Sequence, residues 1–303
     1  MKRELTLAAV IGVGLLSMGV AAFQAPAQAP AKPHVIDLVK LKDNLYVLAS
    51  AVPGDPATFS GGNVSVFITD TGVTLVDAKL AGWGQAILDK IKTVTTKPVT
   101  MIINTHTHGD HTGNDSFFGP NVEIVAHENT KANMAKMDAF KGEKAIYLPK
   151  KIYRDKMTLG SGKDQIDLFY FGPGHTNGDT WVVFPALRIL QTGDMVAWKD
   201  APLCDRNNGG SCVAFPKTLA AALAGVKNVD TVIPGHMGMI AMNDIQEYQR
   251  YMTDLVAATQ AAMKAGKSVD DAVAGLGLAA KYPGYKSERV KAAVQAIYDE
   301  LKP

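Results

Sequence analysis

Residues 105–111 read T-H-T-H-G-D-H, which places three imidazoles and one carboxylate within six consecutive positions. In an extended turn, residues two apart point the same way, so His106 and His108 can hold one metal ion together. Asp110 and His111 are adjacent and must diverge, which suits them to a second ion nearby. Imidazole and carboxylate are the ligands that zinc prefers in catalytic sites, where one position stays open for water. The stretch therefore predicts a metal site with room for two ions.

The same stretch ends the first of four similar segments, each a strand-like apolar run followed by a turn with a candidate ligand. The runs are residues 99–104 before T-H-T-H-G-D-H, 166–171 before His175, 188–191 before Asp194, and 231–233 before His236. Open sheets place functional groups beyond the carboxyl ends of their strands, so we expect these turns to converge. A single histidine is more often an ordinary hydrogen-bonded residue than a metal ligand. That interpretation does not explain several histidines and aspartates that each follow a strand-like run.

His127 and Asp77 are candidates for supporting roles, whereas His34 is not. His127 follows the strand-like residues 122–126 and is either an ordinary polar residue or a support for a ligand. His34 lies near a linker and carries no functional prediction. Asp77 ends a predicted strand, where a carboxylate can orient the ligand turn by hydrogen bonding.

The remaining chain alternates between apolar runs and turn signals. Strands are predicted over residues 35–41, 45–50, 64–69 and 73–77. Helices are predicted over residues 82–95, 243–265, 268–276 and 287–301. Residues 51–63 are too rich in Gly and Pro for a strand and predict a mobile flap. We expect the two strand-rich halves to pack as two similar sheets.

Length and composition indicate an ordinary globular protein. The 303 residues suffice for one large domain, and 47% of them are hydrophobic while 20% are charged. The formal net charge of +2 gives no indication of a nucleic-acid partner. A small-molecule substrate is therefore expected, and the oligomeric state stays open.

The N-terminus has the pattern of a secretory signal peptide. Lys2 and Arg3 precede an apolar run over residues 5–23, and a Pro/Ala-rich stretch follows over residues 24–33. We therefore divide the chain into a signal peptide and linker, residues 1–33, and a catalytic domain, residues 34–303. This division predicts a periplasmic or secreted protein. An uncleaved membrane anchor is the alternative interpretation of the apolar run.

The two cysteines, Cys204 and Cys212, lie close together in a loop rich in Gly and Asn. In a protein bound for an oxidising compartment, such a pair predicts a local disulfide. The alternative is that one cysteine binds a metal and the other has no role. The lack of a neighbouring histidine disfavours this alternative.

The order H-x-H-x-D-H, G-H-T, T-G-D and P-G-H resembles the metallo-β-lactamase superfamily from about Leu38 to Gly238. The resemblance implies an α/β (α+β) fold, a four-layer αββα sandwich with metals at one edge. It also implies two zinc ions per chain that together activate a water, with Asp110 orienting the nucleophile. The implied ligands are His106, His108 and His175 for the first zinc, Asp110, His111 and His236 for the second, and Asp194 between them.

The implied function is hydrolysis of a cyclic amide or ester, β-lactamase-like in character. The alternative within the superfamily is a lactonase or another ester or thioester hydrolase. An exported zinc-binding protein without turnover is a different class, which a complete ligand set disfavours. Iron or manganese in place of zinc stays open.

Two departures bear on the substrate. Subclasses of zinc β-lactamase with a cysteine ligand carry it where this chain has Asp194, and they have a substrate-binding lysine where it has Ala197. Lys199 is close but not equivalent. Unless Lys199 or Asn207 replaces the missing contact, we expect weak binding of β-lactams and neutral lactones handled at least as well.

Overall fold

Two β-sheets form the centre of this computed structural model, which describes residues 36–49 and 59–302. The strands of the first sheet are β1 (Leu38–Lys42), β2 (Leu45–Leu48), β3 (Val64–Ile68), β4 (Val73–Val76), β5 (Val99–Ile103), β6 (Glu123–His127) and β7 (Lys151–Tyr153). The strands of the second sheet are β8 (Lys156–Leu159), β9 (Ile166–Phe169), β10 (Trp181–Phe184), β11 (Ile189–Gly193) and β12 (Thr231–Pro234). Each expected strand is present, generally with narrower bounds.

Strand order follows chain order in the first sheet and runs β12-β11-β10-β9-β8 in the second. Strands β1 to β4 pair antiparallel and β4 to β7 pair parallel. In the second sheet only β11 and β12 are parallel. The parallel strands β4, β5 and β6 therefore end at one edge, as do β11 and β12.

Helices connect and flank the strands. They are α1 (Gly84–Lys92), α2 (Gly109–Thr112), α3 (Glu128–Met134), α4 (Phe215–Gly225), α5 (Met242–Lys264), α6 (Val269–Ala274), α7 (Leu278–Lys281) and α8 (Val290–Leu301). Among the described residues, no helix combines the length and the apolar character needed to cross a membrane.

Strand β10 shows how the layers form. Side chains alternate between the two faces of a strand, so Val182 and Phe184 face the first sheet while Trp181 and Val183 face α4, α5 and α8. On the outer side of the first sheet, α1 packs its apolar residues against β3 and β4. The four layers are thus helix, sheet, sheet and helices, which confirms the predicted αββα sandwich.

Some predictions fall outside the described residues, and some elements were missed. The signal peptide, the linker and most of the proposed flap belong to residues 1–35 and 50–58, so these predictions are not addressed. Strands β7, β8 and β10 were not predicted, since β7 and β8 are short runs with lysine and β10 follows a ligand turn directly.

The predicted disulfide is present. Cys204 and Cys212 are bonded, with Cα atoms 5.5 Å apart, and both side chains are buried in the core beside α4. The bond closes a short loop that starts directly after Leu203.

We predict that intact protein recovered under non-reducing conditions has the mass of one internal disulfide. Replacing both Cys204 and Cys212 with alanine should lower the free energy of unfolding by about 2–3 kcal/mol, because the loop entropy of the unfolded chain is restored. Mass spectrometry and denaturant titration measure the two effects. Two free thiols in the non-reduced protein would contradict the first expectation.

Candidate metal centre

Four turns after strands β5, β9, β11 and β12 bring seven imidazole and carboxylate side chains together, as the strand-end pattern predicted. Their ligand atoms form three overlapping groups, each within 4.8 Å. The groups are His106 with His108 and His175, His106 with His111 and Asp194, and Asp110 with His111 and His236. We call the first of these the histidine group and the third the mixed group.

The histidine group consists of three rings packed nearly at right angles to one another. The Nδ1 atom of His108 lies 2.9 Å from Nε2 of His175. His106 and His175 are buried, while the side chain of His108 is 22% exposed. The group therefore has one side open to solvent.

The mixed group lies beside it, and Asp194 contacts both. Nε2 of His236 is 3.3 Å from Oδ2 of Asp110 and 3.2 Å from Oδ2 of Asp194. The same Asp194 oxygen lies 3.7 Å from Nε2 of His175, and its Oδ1 lies 3.3 Å from Nε2 of His111. Asp194 thus stands between the two groups.

These residues fit divalent metal ions of the zinc type. The Nε2 atom of His106 is buried and has no hydrogen-bond partner among the described residues, although a buried polar atom normally has one. Ring nitrogens 2.9 Å apart repel each other unless a proton or a cation lies between them. Nitrogen and carboxylate oxygen donors are also the set that zinc uses in catalytic sites.

The two groups differ in the balance between burial and neighbouring carboxylates. Burial and the neighbouring histidines lower the pKa of His106 well below its usual value, and burial lowers the pKa of His175 to about 4. Burial also opposes a charge on His111, but the three carboxylates around it outweigh burial and raise its pKa well above the usual value. A cation must therefore displace a proton to bind His111, whereas His106 and His175 are neutral at pH 7.

Asp77 orients the mixed group, as predicted from its place at the end of β4. Its Oδ2 atom lies 2.8 Å from Nδ1 of His111. The same carboxylate accepts hydrogen bonds from the backbone N–H and the hydroxyl of Thr105. The ring of His111 is thereby fixed with Nε2 toward the other ligands.

The segment of residues 203–212, which we call the disulfide loop, orients the histidine group. The sequence did not predict this role. Oδ2 of Asp205 lies 2.7 Å from Nε2 of His108, and the carbonyl oxygen of Leu203 lies 2.7 Å from Nδ1 of His175. Asp205 also accepts hydrogen bonds from the backbone N–H of Asn207 and Asn208. The only sequence signal was an aspartate directly before a turn rich in Asn and Gly.

Lys79 is a second residue that the sequence did not reveal. Its side chain is buried, and Nζ donates to the carbonyl oxygens of Ala49 and Gly62 and to the hydroxyl of Ser60. Burial lowers the pKa of this amine to about 7. Lys79 therefore fixes the backbone on both sides of residues 50–58.

Two glycines allow the close packing of the centre. A Cβ atom on Gly62 would overlap the ring of His111. A Cβ atom on Gly235 would overlap Oδ1 of Asp194. Both positions therefore require a residue without a side chain.

The other sequence candidates lie outside the seven-residue centre. The ring of His127 stacks on Tyr170, and its Nε2 lies 2.7 Å from the carbonyl oxygen of Arg154. His34 lies outside the described residues. Nζ of Lys199 lies 2.9 Å from Oδ1 of Asp244, and Asn207 is exposed on the disulfide loop.

Comparisons with known proteins agree on one family. Residues 57–236 match the family model of the metallo-beta-lactamase superfamily. The chain is 28% identical over 215 residues to metallo-beta-lactamase IND-1 of Chryseobacterium indologenes, covering 69% of this chain and 85% of that protein.

Two solved structures share the fold. A metallo-beta-lactamase from Pontibacter korlensis superposes with a TM-score of 0.61 at 19% identity, covering 72% of this chain and 99% of that one. The sec-alkylsulfatase Pisa1 from Pseudomonas sp. superposes with a TM-score of 0.71 at 14% identity, covering 88% of this chain and 50% of that one.

We predict that Asp205→Asn weakens zinc binding by the histidine group about 10- to 100-fold, because a neutral amide holds the ring of His108 less firmly. Asp77→Asn should act in the same way on the mixed group. Competition with a chromophoric chelator measures both affinities. Asp230→Asn is the matched control, since Asp230 pairs with Arg188 at the opposite end of β12. An equal loss in the control would contradict the assignment.

Proposed function

The chain belongs to the metallo-beta-lactamase superfamily and is a metallo-hydrolase, and we propose that it holds two zinc ions and cleaves a cyclic amide or ester in a β-lactamase-like reaction. One observation carries the proposal. Asp194 lies within 3.7 Å of ring nitrogens in both the histidine group and the mixed group, the arrangement expected of a carboxylate shared by two ions. A binding protein without turnover has no need of such a shared position.

In this proposal the histidine group would hold the first zinc, the mixed group would hold the second, and Asp194 would be shared between them. Zinc, when bound, supplies a Lewis acid that activates water at neutral pH and polarises a carbonyl. No serine nucleophile is required.

Asp110 is the proposed catalytic residue of the chain itself. Burial acts to raise its pKa, but His111 and His236 outweigh burial and lower that pKa to about 2. The side chain stays ionised at neutral pH and remains 22% exposed. It can therefore accept a hydrogen bond from the attacking water and fix its direction toward a substrate carbonyl.

The chain is further proposed to act outside the cytoplasm as one catalytic domain, residues 34–303, after a signal and linker, residues 1–33. Two features support export. The first is the N-terminal sequence pattern. The second is the bond between Cys204 and Cys212, because structural disulfides persist in oxidising compartments.

We predict two zinc ions per chain after reconstitution. His236→Ala should mainly empty the second position, because the histidine group does not include His236. His127→Ala is the matched control, a buried histidine outside the centre, and should retain both ions. Elemental analysis of the three proteins decides, and one ion or none in the unaltered protein would contradict the dinuclear site.

We also predict that the zinc-loaded protein hydrolyses at least one class in a screen of β-lactams, lactones and thioesters. Activity should fall about 100-fold or more in His236→Ala, because loss of an ion removes several kcal/mol of transition-state stabilisation. Chelation should abolish turnover and added zinc should restore it. A protein with two zinc ions that hydrolyses none of the three classes would refute the proposed function.

A further inference from the structure

A cavity of about 470 Å³ opens beside His236 and is lined on its far side by the C-terminal part of the chain. Its walls include Trp198, Met237, Lys286 and Arg289. This volume is within the range of sites for small organic ligands. Lys286 and Arg289 lie beyond the segment that matches the family, residues 57–236.

Three cations line this cavity, and two of them are paired. Lys199 has Nζ 2.9 Å from Oδ1 of Asp244. Lys286 has Nζ 3.6 Å from Oε1 of Glu288. These contacts reduce the charge that either lysine presents to a ligand.

The third cation, Arg289, has no ion pair with a carboxylate among the described residues. Its guanidinium carbon instead lies 3.8 Å from the centre of the Trp198 ring. Asp200 also lines the cavity, but its carboxylate accepts hydrogen bonds from the backbone N–H groups of Ala201 and Arg289. Arg289 is half-buried. The Asp200 carboxylate attracts it through space without forming an ion pair, so the N–H groups of the guanidinium are left for a ligand.

Trp198 links this cation to the metal centre. Its ring stacks on His236 with centroids 5.6 Å apart, and its Nε1–H donates to the carbonyl oxygen of Ala201. A guanidinium over an aromatic face still has N–H groups to donate, and these match the two oxygens of a carboxylate. The Arg289 guanidinium therefore lies against a ring that itself stacks on a proposed zinc ligand.

We infer that Arg289 binds an oxyanion of the substrate, a carboxylate or a group of similar charge, in the cavity beside His236. The inference rests on the proposed hydrolase function and narrows its substrate class to acyl compounds that also carry an anionic group. It replaces the expectation that neutral lactones are handled at least as well, because Arg289 supplies the charge that Ala197 and Lys199 do not.

Kinetics test the inference in the zinc-loaded protein. Arg289→Gln should raise KM for an anionic substrate about 10- to 100-fold, the effect of one lost charge-assisted hydrogen bond. KM for its methyl ester, and kcat for both compounds, should change little, because the contact does not involve the reacting bond. Arg250→Gln is the control, an equal charge change at an exposed position of α5. An equal rise in KM for both compounds would overturn the inference.

A binding experiment separates this inference from the proposed function, since it needs no turnover. The probes are phenylacetate and phenylacetamide, which share a ring and differ in charge, titrated into the zinc-treated full chain by calorimetry. We expect the unaltered protein to bind phenylacetate more tightly than phenylacetamide. This preference should fall about tenfold or more in Arg289→Gln and should be kept in part in Arg289→Lys. It should be unchanged in Arg250→Gln. Phenylmethanesulfonate distinguishes a planar carboxylate from a tetrahedral oxyanion.

Three outcomes would overturn the assignment of Arg289. The first is a preference for phenylacetate that survives unchanged in Arg289→Gln. The second is equal binding of both probes by the unaltered protein, and the third is no binding of phenylacetate by that protein. A normal probe preference together with no hydrolysis in the substrate screen would instead leave Arg289 as an anion site and reject the proposed function.

Discussion

The hydrogen bonds of Asp77 are the constraint on which the metal centre depends. A buried carboxylate without partners costs several kcal/mol, and this one is completely buried. It is satisfied by the backbone N–H and hydroxyl of Thr105 and by Nδ1 of His111. Asp77 also adopts a φ of 69°, a left-handed conformation that costs a non-glycine residue roughly 1–2 kcal/mol. These contacts offset that cost and tie the end of β4 to the turn that follows β5.

The histidine group is held in a different way, by contacts from the disulfide loop. Leu203 and Asp205, on either side of Cys204, hold the outer nitrogens of His175 and His108. A loop of this kind would be free to move if it were held only by its own turn. The bond from Cys204 to Cys212 limits that movement, so a covalent link in the loop supports two rings that belong to other segments of the chain.

The family resemblance, together with the strand-end pattern, was enough to predict the fold and the seven side chains that the structure brings together. The ends of strands, the types of candidate ligand and their order can be recognised in the sequence itself. The supporting role of Asp77 was inferred from its place at the end of a strand. Asp205 and Arg289 were not predictable in this way, because each acts on a partner far away in sequence. Arg289, for example, meets Trp198 only after α5 to α7 have returned the chain to the cavity. Lys79 was not predictable because nothing in the sequence around it indicates a buried amine. The missed strand β10 has a different cause, since it directly follows the turn that carries His175 and its pairing with β9 and β11 is not marked in its own residues.

The packing of the metal centre also restricts which residues can stand at positions 62 and 235, where the chain has Gly62 and Gly235. Neither glycine offers an atom to a metal ion, yet alanine at either position would collide with His111 or Asp194. A single methyl group can therefore disable the chemistry while every reactive group remains encoded. For a population accumulating random mutations, the positions at which a substitution can inactivate this protein are thus more numerous than the candidate ligands. They include residues that contribute only by leaving room for their neighbours.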